Sequence, residues 1–151
     1  MKRGLPWIVI GWMLLVSPLL ALASGWQVGG KGIAFAEGEK KTYKIAIQEI
    51  KSDIGLSFIL IQSNAKCRFY QPESSGFIDV NGQRIKVIFY CDDAGAVPAI
   101  FTATSSGFDF INQQLFKGEA LIIKSSKGDV LDVFPSENYI HAADKFLNPG
   151  I

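Results

Sequence analysis

The chain has 151 residues with 15 basic and 14 acidic side chains, a formal charge of +1. That balance, without a long run of either sign, argues against electrostatic capture of nucleic acid or of an anionic membrane as the main activity. A structural zinc site would need more Cys or His ligands than the two cysteines and one histidine supply, and no cofactor-binding motif occurs.

Residues 1–23 read as a secretory signal peptide. Lys2 and Arg3 give a positive start, Trp7 to Leu20 is an apolar stretch, and Ala21-Leu22-Ala23 offers small residues where a signal peptidase reads. The stretch is short for a span, which takes about 20 apolar residues. Cleavage is expected after Ala23. Residues 24–151 are then a single β-rich domain without a membrane span, in the periplasm or outside the cell.

Trp26-Gln27-Val28 opens that domain. Gly29-Gly30-Lys31-Gly32 follows; it has neither Walker spacing nor a dinucleotide fingerprint and reads as a flexible lead-in. Ile33 to Ala36 predicts a short strand. Tyr43, Ile45 and Ile47 alternate with Lys44 and Gln48, which predicts a strand over Thr42–Ile50. A turn at Lys51-Ser52-Asp53 leads to Leu56–Gln62, apolar on both faces as a central strand would be.

Asn81-Gly82 is a two-residue hairpin signal, because both central residues of a type I′ turn need positive φ. In the strand that follows, Ile85, Val87, Phe89 and Cys91 share one face, and Arg84, Lys86, Ile88 and Tyr90 the other. Two-residue closure sets Val80 against Gln83, Asp79 against Arg84 and Ile78 against Ile85, so acid meets base and apolar meets apolar. Cys91 points inward. Cys67 is the only other cysteine, and in an exported chain the two predict one disulfide. The same register puts Pro72 opposite Cys91. Gln71 to Gly76 therefore predicts a loop, with Cys67 at the end of the preceding strand.

Val97–Thr104 is β-rich, and Pro98 places its start at an edge or where the chain joins the sheet. Ser106 is the expected N-cap of a helix carrying Phe108, Ile111 and Leu115 on one face, with Asp109 in the capping-box position and Gly118 as the stop. A second hairpin runs from Ala120–Ile123 through Lys127-Gly128 to Val130–Phe134. Pro135 ends it, and Ser136 can cap a last short helix with Ile140, Ala143 and Leu147 on one face. About seven strands and two short helices predict a mainly β fold. The architecture expected is an antiparallel β-sandwich or small barrel with one disulfide.

Catalytic signals are sparse. His141 is the sole histidine and the only candidate general base, with no G-x-S-x-G elbow to support a triad. Asp92-Asp93-Ala94-Gly95 lacks the spaced acids of an EF-hand and reads as a hairpin exit. Binding candidates are better placed. Tyr90 shares a face with Arg84 and Lys86, and Tyr70, Pro72 and Glu73 belong to the segment next to Cys67.

An export signal, Trp26 at the mature start, Cys67 and Cys91 flanking a mid-chain strand, and the terminal Tyr139-Ile140-His141-Ala142-Ala143 together carry a resemblance. The plan resembles the invasion-associated locus B family of small exported bacterial proteins. The resemblance implies a periplasmic or surface accessory protein without known catalysis, and it supplies no site residues. The expected function is therefore binding of a protein or envelope component. Two alternatives remain: an inhibitor of an envelope-directed hydrolase such as lysozyme, acting through a projecting Gln71–Gly76 loop, and an enzyme using His141.

Overall fold

Among the described residues, alternating apolar and polar side chains build nine antiparallel strands: β1 (Gln27–Val28), β2 (Ala34–Glu37), β3 (Tyr43–Ile50), β4 (Gly55–Gln62), β5 (Gln71–Val80), β6 (Gln83–Cys91), β7 (Ala99–Thr102), β8 (Leu121–Ser125) and β9 (Val130–Phe134). Helix α1 (Ser105–Phe116) separates β7 from β8, and α2 (Tyr139–Leu147) follows β9. The computed structural model describes residues 25–50, 55–68, 71–91 and 95–148. The expected leader and the expected Lys51-Ser52-Asp53 turn lie outside the described residues.

All nine strands form one sheet in the order β1-β2-β3-β4-β7-β6-β5-β8-β9. The mainly β expectation holds, with two short helices and one disulfide. Of the expected sandwich or small barrel, the fold is on the barrel side: the single sheet curls into a half-barrel. Strands β3 and β8 lie five places apart in the sheet, about 24 Å if it were flat. Yet Ile45 of β3 and Ile123 of β8 line one residual void of ≈ 10 Å³, together with Leu60, Val87 and Ile111 of α1. Only a curled sheet wrapped on α1 permits that.

The expected hairpin register is the observed one: Val80 pairs with Gln83, Asp79 with Arg84 and Ile78 with Ile85. Asn81 and Gly82 take φ of 51° and 84°, as the type I′ turn requires. The turn also docks. Asn81 Oδ1 accepts from the Ile122 N–H, and its Nδ2 donates to the Ala120 carbonyl and to Gln114 Oε1. One side chain thus ties the β5–β6 hairpin to β8 and α1.

Both helix caps differ from expectation. Thr104, not Ser106, caps α1: its hydroxyl accepts from the Gly107 N–H while its backbone continues the extended path of β7. Asn138, not Ser136, stands before α2, in the left-handed region, and its side chain donates to the Trp26 carbonyl instead of capping the helix. The inward face of α2 is Tyr139, Ala142 and Ala143, whereas Ile140 and Leu147 are 54% and 55% exposed. The rotation follows from anchoring. Tyr139 is held against Trp26 at 4.8 Å between rings, and α2 lies against β2, where Ala34 and Ala36 are buried.

The ends of the sheet meet at Asp132. This residue of β9 is fully buried. Its carboxylate accepts from the backbone N–H groups of Lys40, Thr42 and Tyr43, which form the β2–β3 turn, and from that of Val133. The Glu39 N–H donates to the Val133 carbonyl alongside. Gly38 is required here because a Cβ would fall 2.1 Å from the Asp132 Cγ. Trp26 seals the neighbouring stretch, its indole N–H donating to the Pro135 carbonyl and its backbone N–H to that of Glu137.

Replacing Asp132 with Ala strips acceptors from three turn amides at once. Urea unfolding of Asp132→Ala is expected to show a loss of about 3–5 kcal/mol. A loss under about 1 kcal/mol would place the seam's strength elsewhere.

Two tyrosines make the fold sensitive to alkali. Burial pushes the Tyr139 phenol well above its ordinary value of 10.0. Tyr43 is raised by burial and, second, by the charge of Asp132. The fold favours the neutral phenols, so their contribution is complete below the unfolded value and is lost as pH rises through it. Stability should hold to about pH 10 and fall beyond it. Tyr139→Phe should flatten that fall in urea titrations, at the cost of the hydrogen bond its hydroxyl donates to Asn112.

Candidate ligand groove

Cys67 and Cys91 form the expected disulfide, with 5.9 Å between their Cα atoms. Cys67 is buried in the β4–β5 connection, where its backbone bonds to Gly95 and Ala96. Cys91 ends β6 opposite Gln71, not Pro72. A bulge between Gln71 and Ser74 inserts one residue and shifts the register. The loop expected over Gln71–Gly76 is therefore strand, and it does not project. Proline, serine and glycine are tolerated there because β8 pairs with β5 only at Ile78–Val80, which leaves the first part of β5 as an edge.

Tyr70 lies outside the described residues, and Pro72 is placed by its backbone within β5. Glu73, Arg84 and Lys86 are exposed, while Tyr90 is half-buried and meets Phe101 edge-on at 6.4 Å. Of these candidates the structure brings Arg84 and Lys86 together. Both line a groove of ≈ 450 Å³ with Phe77, Gln83, Thr104, Ser106 and Phe110. The Arg84 guanidinium lies 5.5 Å from the centroid of the Phe77 ring, within cation–π range. Glu73 and Tyr90 are not part of this groove.

The groove exists because β7 is short. Past Thr102 the chain leaves the sheet. The Thr102 hydroxyl accepts from the Phe58 N–H and pairs with Ser57 Oγ at 2.8 Å, so side chains replace the ladder there. The Ala103 N–H makes one last bond, to the Lys86 carbonyl. Thr104 then starts α1, which passes beneath β6 with Gly107 against Ile85. Residues 83–85 of β6 extend beyond the partner strand, and the groove follows their edge.

Phe77 was legible from the hairpin register, which sets it opposite Lys86. Thr104, Ser106 and Phe110 carried no such signal, since their approach to β6 depends on where β7 stops. A second depression of ≈ 420 Å³ is lined by Asp79, Asn81, Ile122 and Lys124. Its central side chain, Asn81, is committed to the fold by the bonds described above.

His141 stands exposed on α2. No group of three or more His, Cys, Asp or Glu side chains arranged to hold a metal is found among the described residues. Residues 30–32 form a single 3₁₀ turn. The Asp92-Asp93-Ala94 segment lies outside the described residues. Among the described residues no helix is long and apolar enough to cross a membrane. The disulfide itself fits an oxidising compartment. No family model, curated protein or solved structure matches the chain.

The disulfide clamps the end of the β5–β6 hairpin remote from its turn, closing a loop with a sequence separation of 24. Substituting both cysteines with serine should cost roughly 3–4 kcal/mol in urea unfolding. A double variant as stable as the parent would show that the bridge constrains nothing the sheet does not already hold.

Proposed function

We propose that this is an exported, disulfide-bonded binding protein that takes a protein or envelope component on the face carrying Arg84 and Lys86. The observation that carries the reading is the contrast between inside and outside. Among the described residues, the interior void between Ile45, Leu60, Val87, Ile111 and Ile123 measures ≈ 10 Å³, whereas the groove beside Arg84 and Lys86 offers ≈ 450 Å³ with exposed cations and an exposed aromatic ring. Among the described residues that void is far smaller than an ordinary ligand site of about 300–1,000 Å³, and the outer groove is of that size, which supports recognition on the outer surface.

A periplasmic or secreted location is supported by the leader-like residues 1–23 and the disulfide. An accessory role in the bacterial envelope, as in the invasion-associated locus B family, agrees with this reading. The inhibitor alternative was drawn on a projecting Gln71–Gly76 loop, and that segment is strand. The enzyme alternative rests on His141 alone, which stands exposed on α2.

A photo-crosslinking amino acid placed at Lys86 and, separately, at Lys127 tests the location of binding. In native envelope extract the Lys86 position should yield a discrete macromolecular adduct and the Lys127 position none. Adducts at Lys127 only, or at neither position, would remove the basis for assigning recognition to this face.

A further inference from the structure

We propose that the groove binds an extended acidic peptide, which adds to the free edge of β6 at Arg84. This deepens the binding reading above and rests on it, because it names the chemistry of the partner.

The backbone geometry comes first. In a two-residue hairpin Val80 and Gln83 exchange hydrogen bonds, so the next pair, Asp79 and Arg84, turn their peptide groups away from each other. Those of Asp79 turn toward Lys124 of β8. Those of Arg84 turn to the β7 side, where β7 is absent, since its ladder with β6 starts only at Val87. The neighbouring outward-turned carbonyl, that of Lys86, is taken by the Ala103 N–H. Among the described residues the Arg84 carbonyl receives a single bond, of 3.3 Å, from the side chain of the adjacent Gln83, which an incoming strand can displace. The vacancy fits one extended residue, bonded through its own N–H and C=O.

Charge selects the partner. The groove lining contains Arg84 and Lys86 and no acid. Asp79, cross-strand from Arg84, lines the other depression and accepts from the Gly82 N–H. The first turn of α1 also lacks acids. Alternate side chains of an added strand would point up, beside Arg84 and Lys86, and down, toward Phe110 and the start of α1. Acidic residues suit the first set and apolar ones the second. A second copy of this chain fits poorly, because edge-to-edge pairing about a two-fold axis would set Arg84 and Lys86 near their own copies.

The test uses a fluorescein-labelled six-residue peptide alternating glutamate and valine, read by fluorescence anisotropy against the full folded protein. Binding is expected to weaken by about tenfold or more in Arg84→Glu and in Lys86→Glu. N-methylation of all three glutamates should abolish it and that of all three valines should not, because the glutamate N–H groups face the Arg84 carbonyl and the valine N–H groups face away. This control needs no change to the protein and so does not depend on a variant folding. Equal binding of both N-methylated peptides would overturn strand addition. Equal or tighter binding of a lysine–valine peptide would overturn the acidic assignment. Failure of the acidic peptide alongside a persistent Lys86 adduct would overturn this proposal while leaving the binding reading intact. Concentration-dependent dimerisation in sedimentation, lost on Arg84→Glu, would replace the peptide with a second copy.

Discussion

A buried carboxylate closes this fold. Strand pairing alone would leave β1 and β9 as two open edges, and open edges invite pairing with other chains. Asp132 solves part of this without a continuous ladder. It gathers three turn amides from across the gap and holds the β2–β3 turn against β9. A turn normally satisfies its backbone with water. Here those amides are drawn to a carboxylate that is fully buried, and amide donors offset the loss of hydration that would make an isolated buried charge prohibitive. Gly38 has to lack a side chain for the approach to be possible.

The curl that Asp132 fixes decides what the interior can be. Once β3 and β8 face each other across α1, the available space is set by side chains already committed to it. Ile45, Leu60, Val87, Ile111 and Ile123 fill it nearly completely. Trp26 and Tyr139 then cover the region where α2 meets the sheet, with Phe58 beneath them at 6.2 Å and 6.4 Å. Other apolar side chains, Phe77, Ile140 and Leu147 among them, stay exposed on the outside.

Local order was legible in the sequence, and long-range closure was not. The Asn81-Gly82 turn fixes its register through the positive φ of two residues, so the pairs around it follow by counting. The disulfide follows from there being two cysteines in a chain with a leader-like start. Counting fails beyond Ser74 because a bulge adds a residue, and nothing in Pro72-Glu73-Ser74 separates a bulged edge strand from a loop. Asp132 reads as one more polar residue alternating in a hairpin, since its partners lie some 90 residues away. The groove was half legible. Arg84, Lys86 and Phe77 belong to the hairpin and could be placed on its outer face. Its opposite wall depends on β7 stopping at Thr102, and that stop is set by bonds to Ser57 and Phe58 in β4.

That early stop is the irregularity with the widest consequence. A strand that ends before its neighbours leaves them a bare edge, and a bare edge in the middle of a sheet cannot be hidden by barrel closure. Folds commonly protect such edges with lysine, proline or a bulge. The edge of β5 shows the bulge and the proline. The edge of β6 has no proline and no bulge opposite Arg84; its guard is two cations and a weak bond from Gln83. Protection by charge is conditional: it repels strands that bring like charge and attracts those that bring the opposite. In the proposed complex, the same two side chains that keep β6 from pairing with its own kind would select the charge of the incoming strand.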